Sequence, residues 1–287
     1  MTEIKRVGDF KNVLGECPVW SVGERALYWI DVRRPGLHRL QPVTGEARFW
    51  EMPEMIGSIA LRKNGGLLLA LKSSLSFFDP ETGRFTKVAS PLAPELRFND
   101  GKCDRQGRFW VGSMHDVTRQ PVGSLYRLDG SGKCVVIHGD VCVPNSLCWS
   151  PDGRTMYFGD SDLHTVFAYP FDPVAGTVGP RRAFAKVIPP AVPDGATIDT
   201  EGFMWLTEYG GWRIVRYAPD GRLDREIRLP VQNPTSCAFG GEGLRTLYVT
   251  TASQRLSPEA LEKQPLAGAL FALDLGVGGI PEPTFAG

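Results

Sequence analysis

One short pattern recurs six times along the chain, and this recurrence constrains the fold more than any other feature. Each copy contains a short apolar strand whose central residue is aromatic or leucine: Tyr28, Leu68, Trp110, Tyr157, Trp205 and Tyr248. These residues follow one another at intervals of about 40 to 48 residues, a period typical of repeat architectures. A chain built in this way is expected to pack each unit against its sequence neighbours.

Each copy contains four short strand patterns. The second and third form a predicted hairpin, for example Leu27–Asp31 with Leu37–Gln41, and a turn containing glycine follows most of the third strands. A more polar fourth strand then follows, as at Glu46–Met52. Four-stranded units repeated six times predict an all-β fold, a six-bladed β-propeller with four antiparallel strands per blade. No linker divides the chain, so we expect one domain over residues 1–287.

The sixth unit lacks a clear fourth strand, and two segments compete to supply it. The N-terminal stretch Glu3–Phe10 has the required polarity and length, and the C-terminal stretch Pro281–Phe285 is the alternative. The hairpin of this unit is also interrupted by a predicted short helix, Ser257–Lys263. A serine cap followed by proline is typical of a helix start.

Charge and cysteine usage narrow the class of protein. Thirty-two basic residues balance thirty-two acidic ones, so no overall field favours nucleic acid or an anionic membrane. Neither an apolar N-terminal signal nor a stretch long enough to span a membrane occurs. The six cysteines include no Cys-x-x-Cys pair, which argues against a cysteine zinc site and for reduced cysteines. We therefore expect a cytoplasmic protein.

An oxygen-bearing side chain occupies the same position in four of the six units. Glu16, Asn99, Asn145 and Asp194 each precede the residue at the centre of the second strand by eleven or twelve positions. In a propeller the first strands line the central channel, so these side chains would meet near the axis. Two carboxylates there would repel each other unless a cation lay between them. All-oxygen ligation suits one divalent ion such as calcium, magnesium or manganese, with zinc or ferrous iron also tolerated.

Some of these positions have other interpretations. Asn99 cannot be separated from Asp100 by spacing alone, and Asn145 after proline is also typical of a turn. Pro-Asp-Gly occurs three times, at Asp152, Asp194 and Asp220. Only Asp194 lies in the channel position, and we expect the other two to be ordinary turn residues.

Two further segments fall near the same predicted mouth. Arg97 precedes Asn99, and an arginine is suited to holding a carbonyl or hydroxyl oxygen. His115 and Asp116 follow the second strand of the third unit and could reach the rim, although a lone histidine is often structural. Neither a phosphate-binding loop nor a Gly-x-Ser-x-Gly nucleophile motif is present, so the sequence gives no support to serine-hydrolase chemistry.

Together, several motifs resemble the regucalcin/gluconolactonase family, also called the senescence marker protein family. They are Leu14–Pro18, Arg97–Lys102, Asn145–Leu147, Pro193–Gly195, Thr235–Gly241, Gln264–Gly268 and Leu275–Ile280. The resemblance covers nearly the whole chain. It implies a six-bladed propeller with a metal site in the central channel, in which Glu16, Asn145 and Asp194 hold one divalent ion. It also implies that Arg97 and Asn99 contact the substrate, a small-molecule lactone of a sugar acid.

The chain departs from some animal members of that family after the second strand of unit three. Those members have a substrate-contacting glutamate where this chain has His115-Asp116-Val117. We therefore add His115 and Asp116 to the expected substrate-binding residues and leave the sugar open among gluconolactone, xylonolactone, arabinonolactone and galactonolactone.

The expected reaction is metal-dependent hydrolysis of the lactone to the free acid. The metal would act as a Lewis acid and lower the pKa of water, and Asp194 would orient or deprotonate that water. Two alternatives are a phosphotriester hydrolase of related propeller type and a calcium-binding propeller without catalytic activity.

Overall fold

Six antiparallel sheets surround a common axis in the computed structural model, which describes residues 3–287. Five sheets consist of strands that are consecutive in sequence, and the sixth combines both ends of the chain. The architecture is an all-β six-bladed propeller with four antiparallel strands per blade, as the repeat predicts. The fourth blade has one additional two-residue strand.

The N-terminal strand is β1 (Ile4–Val7). Blade 1 contains β2 (Gly15–Ser21), β3 (Ala26–Asp31), β4 (Gly36–Gln41) and β5 (Glu46–Glu51). Blade 2 contains β6 (Ile56–Leu61), β7 (Leu67–Leu71), β8 (Leu75–Asp79) and β9 (Arg84–Ala89). Blade 3 contains β10 (Leu96–Cys103), β11 (Phe109–His115), β12 (Gly123–Leu128) and β13 (Cys134–Val141).

Blade 4 contains β14 (Pro144–Trp149), β15 (Thr155–Asp160), β16 (Thr165–Asp172), the short β17 (Thr177–Val178) and β18 (Arg182–Lys186). Blade 5 contains β19 (Val192–Ile198), β20 (Met204–Tyr209), β21 (Arg213–Tyr217) and β22 (Leu223–Arg228). Blade 6 contains β23 (Pro234–Gly240), β24 (Thr246–Thr251) and β25 (Leu270–Asp274), with a 3-10 turn at Glu242–Leu244 and the helix α1 (Pro258–Lys263).

The ring is closed by the N-terminal segment. Strand β1 pairs antiparallel with β25, from Ile4 opposite Leu273 to Val7 opposite Leu270. The C-terminal tail instead packs against the far ends of the first strands. There Glu282 accepts a hydrogen bond of 3.1 Å from Lys102 Nζ, and Phe285 is completely buried. Of the two segments that compete for this place in the sequence, the polar N-terminal one is therefore the fourth strand of blade 6.

The recurring aromatic and leucine positions form the packing between blades. Tyr28, Leu68, Trp110, Tyr157, Trp205 and Tyr248 are all buried. Burying one side chain of leucine or phenylalanine size contributes about 1.5–3 kcal/mol, so every blade adds a comparable amount at its interfaces. The repeat in the sequence therefore corresponds to equivalent core positions in the six blades.

Two smaller expectations can also be compared with the structure. Helix α1 begins after Ser257, whose side chain accepts a hydrogen bond of 3.2 Å from the Ala260 N–H, as the capping pattern predicts. All six cysteines are free. Within residues 3–287, the structure has no helix with the length and apolar character needed to cross a membrane.

Candidate active site

A β-bulge lies in the first strand of each blade that has a predicted oxygen ligand. In β2, the residues Cys17 and Pro18 stand between the pairs Glu16–Ile30 and Val19–Tyr28, opposite one residue of β3. The same two-against-one arrangement occurs at Asn99 and Asp100 in β10, at Ser146 and Leu147 in β14, and at Asp194 and Gly195 in β19. The first strands of blades 2 and 6 also contain one extra residue, Gly57 and Thr235, relative to their partner strands. Bulges redirect side chains next to functional sites, and here every blade has one near the start of its first strand.

The backbone at these bulges is tightly constrained. Cys17 and Ser146 have positive φ angles of 46° and 59°. A Cβ atom at position 195 would collide with the side chain of Ser236 in the neighbouring blade, so only glycine fits there. The glycine of Pro193-Asp194-Gly195 is therefore required by close packing at the axis rather than by a turn.

The redirected side chains surround a cavity of about 220 Å³ at one end of the central channel. Its lining includes the predicted residues Glu16, Arg97, Asn99, Asp116, Asn145 and Asp194. Five of the six come from first strands or their bulges, and Asp116 comes from the loop after β11. We call this space the central cavity.

Two asparagines are fixed beside each other on one wall. Asn99 Nδ2 donates to Asn145 Oδ1 at 3.0 Å and to the Pro144 carbonyl at 2.8 Å. Asn145 Nδ2 donates to Ser161 Oγ at 2.8 Å, while Ser161 Oγ donates to the Pro193 carbonyl at 2.6 Å. Because Ser161 uses its own proton elsewhere, it must accept from Asn145. This orients the Asn145 amide, whose oxygen faces Asn99.

Arg97 is held by a carboxylate that it shares with a second arginine. Arg97 Nε lies 2.5 Å from Asp116 Oδ1, and Arg33 makes two bonds to the same carboxylate at 2.7 and 2.9 Å. Burial alone would raise the pKa of Asp116, but the bonds from both arginines outweigh it and lower the pKa. Arg97 also donates to Asn99 Oδ1 at 2.7 Å. Asp116 therefore positions Arg97 at the cavity wall.

The two predicted carboxylate ligands are poorly satisfied. Glu16 has one hydrogen bond, of 3.3 Å, from the Cys17 N–H. No group within residues 3–287 donates a hydrogen bond to the carboxylate of Asp194, although this residue is buried, with only 6% of it exposed. Burial, with the nearby charge of Asp100, raises the pKa of Glu16 to about 8. Burial and the charges of Glu16 and Asp100 raise the pKa of Asp194 well above its usual value.

Asn99 and Asp100, which spacing could not separate, point to different places. Asn99 lines the central cavity. Asp100 accepts a hydrogen bond of 2.9 Å from the Leu147 N–H, and burial raises its pKa. Asp100 is therefore tied to the backbone of the next blade.

His115 is the one predicted site residue that is absent from the lining of the central cavity. Its Nδ1 accepts from the N–H groups of Val117 and Thr118, at 3.3 and 3.2 Å. These bonds fold the loop that presents Asp116. The structure thus connects His115 to the shape of this loop, whereas its contact with substrate stays a prediction.

The other two Pro-Asp-Gly aspartates lie in exposed turns. Asp152 accepts bonds from Ser150 Oγ and the Arg154 N–H, between β14 and β15. Asp220 accepts from the Arg222 N–H, between β21 and β22. Both make the local bonds that aspartate typically makes in turns, as the register argument predicts.

Sequence reasoning missed a second group of lining residues. They are Arg33, Arg119, Ser161, Tyr209, Gln254 and Arg255. All of them lie at or just after the end of a second strand. Since the first two strands of a blade are antiparallel, the end of the second lies beside the start of the first. This rule, applied to each unit, would have found the group.

Comparisons with known proteins agree with this architecture. Residues 14–253 match the family model described as the SMP-30/Gluconolactonase/LRE-like region. The chain is 42% identical to 6-deoxy-6-sulfogluconolactonase of Pseudomonas putida, with 96% of each chain covered. It is 36% identical to L-arabinolactonase of Azospirillum brasilense, over 98% of this chain and 95% of the relative.

A solved structure of similar shape is that of regucalcin from Agrobacterium tumefaciens, described as a calcium-binding protein. It is 29% identical, covers 99% of this chain and 97% of its own, and superposes with a TM-score of 0.95. The two sequence relatives above are lactonases by name, and lactonases are hydrolases of carboxylic ester bonds. The chain belongs to the SMP-30/gluconolactonase/LRE-like family, in which hydrolases of this kind occur.

Proposed function

We propose that this protein is a metal-dependent lactonase that hydrolyses the cyclic ester of a sugar acid to the free acid. One observation carries the proposal. Asp194 is only 6% exposed, and among residues 3–287 no group donates to its carboxylate, which opens onto a cavity that also contains Glu16 and the Arg97–Asn99 pair. A buried charge without a partner is costly, and such groups are typical of functional sites.

The donor set of the cavity fits one divalent cation. Glu16 and Asp194 supply carboxylate oxygens, and Asn145 supplies an amide oxygen whose orientation is fixed by Ser161. Among residues 3–287 no three His, Cys, Asp or Glu side chains gather as a metal-binding group, and in this proposal the amide of Asn145 is the third protein ligand. All-oxygen ligation suits calcium, magnesium or manganese, and zinc or ferrous iron are also compatible. The calcium-binding regucalcin relative supports a divalent ion here.

When bound, the ion would act as a Lewis acid and stabilise the charge that develops on the lactone carbonyl oxygen. Arg97 and Asn99 would hold the sugar. Arg97 is suited to this task because Asp116 fixes its orientation, while its Nη2 makes no hydrogen bond within residues 3–287 and the residue lines the cavity. A positioned substrate reacts faster because the entropy cost of alignment is met during binding.

Asp194 would accept a proton from the attacking water and return it to the leaving group. A water molecule adds to the carbonyl carbon as Asp194 accepts one of its protons. The tetrahedral centre then collapses, the ring C–O bond breaks, and the proton passes to the leaving alkoxide to give a hydroxyl group. A general base works best when its pKa lies near the working pH, and a bound cation would oppose the rise that burial gives to the pKa of Asp194.

A screen of sugar-acid lactones in a pH-indicator assay tests the proposal. We expect acid release from at least one aldonolactone, loss of this activity with chelator, and its recovery on adding a divalent ion. Release of acid from a phosphotriester alone would favour the phosphotriester hydrolase. Metal binding without hydrolysis of either class would favour a calcium-binding propeller. We also propose that the protein acts in the cytoplasm.

A further inference from the structure

The arginines that line the central cavity outnumber the carboxylates that line it. Four arginines and three carboxylates line it: Arg33, Arg97, Arg119, Arg255, Glu16, Asp116 and Asp194. Arg33 and Arg97 are both bonded to Asp116. The remaining carboxylates, Glu16 and Asp194, are the ones that a divalent cation would neutralise. The charges of Arg119 and Arg255 are then left without a counterpart inside the cavity.

Neither of these two arginines is strongly engaged elsewhere. Arg119 contacts Asp162 at 3.2 Å, and both side chains are 32% exposed. An ion pair so accessible to water contributes little to stability. Arg255 is exposed, and no acidic partner for it occurs within residues 3–287. Both guanidinium groups therefore have N–H donors available for a ligand.

Two ordered loops hold these arginines at the rim. Arg119 and Arg255 have positive φ angles of 53° and 61°. The Arg119 N–H bonds to the His115 carbonyl at 3.2 Å, and the Gln254 N–H bonds to the Val13 carbonyl at 3.0 Å. A residue other than glycine in this conformation is usually held by its surroundings, and these backbone bonds fix where each arginine side chain begins.

Arg119 and Arg255 reach the central cavity from different blades, Arg119 from the loop after β11 in blade 3 and Arg255 from the loop after β24 in blade 6. Burial raises the pKa of Tyr209 to about 12, while the positive charges of Arg255 and Arg119 oppose this rise. The Tyr209 hydroxyl donates to the Gln254 carbonyl at 3.3 Å, which ties it to the loop of Arg255. Tyr209 lines the same cavity, so the two guanidinium groups reach a shared space around this residue.

We propose that Arg119 and Arg255 form a subsite for an oxyanion on the substrate, so that the preferred lactone has an acidic substituent away from its ring carbonyl. This inference rests on the lactonase function proposed above. Two guanidinium groups bind sulfonate, phosphate or carboxylate through charge-assisted hydrogen bonds, which are stronger than bonds to neutral hydroxyls. The shared chemistry is an oxyanion that remains charged at neutral pH.

Matched lactones test the subsite. The kcat/KM of the wild-type protein is measured for gluconolactone and for the same lactone with a sulfonate, a phosphate or a carboxylate on its terminal carbon. We expect at least one charged lactone to be preferred, and the three arms identify which oxyanion fits. In Arg119→Ala and Arg255→Ala, kcat/KM for that lactone should fall about 10- to 100-fold, the range for a hydrogen bond to a charged group. For gluconolactone it should change less than about threefold.

Arg25→Ala provides the matched control. Arg25 is an exposed arginine with a positive φ of 52°, and it lies outside the central cavity in the turn before β3. This variant should retain the wild-type preference. Raising the salt concentration should increase KM for the charged lactone much more than for gluconolactone, because salt screens exposed charges.

A binding measurement separates failure of the subsite from failure of the proposed function. Calorimetry compares gluconate with gluconate that has a terminal phosphate, and neither ligand requires turnover. Tighter binding of the phosphate form, lost in Arg255→Ala but not in Arg25→Ala, would support the subsite even if no lactone were hydrolysed. Equal binding of both acids by the wild-type protein, or equal losses for charged and neutral lactones in the two variants, would overturn it.

Discussion

Asp194 lies near the start of β19, and Asp199 directly follows the end of the same strand. Both aspartates are buried, but they differ in the hydrogen-bond donors around them. Asp199 is completely buried and accepts five hydrogen bonds, from the N–H groups of Glu201 and Phe203 and from the side chains of Trp205 and Arg216. Asp194 is 6% exposed, and within residues 3–287 its carboxylate accepts none. The two residues are about 16 Å apart along the chain, at about 3.3 Å per residue.

The difference shows that the role of a buried carboxylate depends on whether the protein supplies hydrogen-bond donors to it. At Asp199 the carboxylate connects β20, β21 and a turn, so its charge is neutralised by the protein itself. At Asp194 the protein supplies burial and nearby negative charge, but no donor. Such a group is stable only with a proton or a cation, and this requirement is what a catalytic metal site exploits.

The largest effect is expected from Asp194→Asn. The amide keeps an oxygen for the metal but cannot accept a proton from water. We expect kcat to fall by about 100- to 10,000-fold, while metal content and melting temperature remain close to those of the wild type. Lactone hydrolysis at saturating metal, with metal analysis, measures both. Near wild-type turnover would show that Asp194 is a ligand and nothing more.

Asp199→Ala should reduce stability but not activity, the reverse of what we expect for Asp194→Asn. It would leave the indole N–H of Trp205 and Arg216 Nε buried without their acceptor, although Arg216 keeps its bonds to Glu201 and Asp224. Each donor left without a partner costs about 1–3 kcal/mol of unfolding free energy. We expect a markedly lower melting temperature but a kcat/KM within about threefold of wild type below that temperature. Chemical denaturation and lactonase rates test this.

Asp104→Ala is the parallel case for that prediction, because Asp104 accepts bonds from Trp110 Nε1 at 2.8 Å and Arg108 Nε at 2.6 Å. If either variant lost its activity as completely as Asp194→Asn while still folded, the division between the two kinds of aspartate would be wrong.

A third effect concerns pH in chelator-treated protein. Burial and Asp100 raise the pKa of Glu16 from 4.5 to about 8 in the folded state. Between these values the folded state binds more protons than the unfolded state, so the free energy of unfolding decreases as pH rises. We expect the melting temperature to fall by roughly 4 °C or more from pH 5 to pH 8.

Glu16→Gln should reduce this slope, because the amide has no proton to lose over the same range. Saturation with a divalent ion should also reduce it, since a cation stabilises the ionised carboxylates. Scanning calorimetry at several pH values measures all three samples. An identical slope in the chelated wild type and in Glu16→Gln would contradict the assignment.

The smallest effect is expected at the two remaining Pro-Asp-Gly sequences. Asp152→Ala and Asp220→Ala remove local turn bonds, which are worth about 0.5–1.5 kcal/mol of unfolding free energy. Catalysis should be unchanged, because both residues lie in exposed turns outside the central cavity. Urea denaturation and lactonase assays measure the two quantities. A loss of activity comparable to that of Asp194→Asn would show that register does not separate the three aspartates.

The repeat made much of the fold and part of the site predictable. Apolar strands at a regular interval specify equivalent packing in every blade, so the positions of Tyr28, Trp110 and Trp205 in the core follow from the pattern. The same equivalence places Glu16, Asn145 and Asp194 at one end of the channel. Residues in a single register of a radial repeat must face one another.

The hydrogen bonds of the individual site residues could not be predicted from the repeat. His115 bonds to its own loop, Asp100 bonds to the backbone of the next blade, and Asn99 faces the cavity. Spacing could not assign these roles, because the bulge at Asn99 and Asp100 turns adjacent side chains in different directions. Arg119 and Arg255 were missed because they follow second strands in loops without a shared motif.

Local periodicity, repeated along the chain, was enough to predict the number of blades, the core positions and the register of the expected oxygen ligands. It was not enough to show that β1 rather than the C-terminal tail closes the ring. It also could not show that Asp199 has hydrogen-bond donors while Asp194 has none within residues 3–287. Both outcomes depend on partners far away in sequence or on the exact course of a loop, and periodicity contains no information about either.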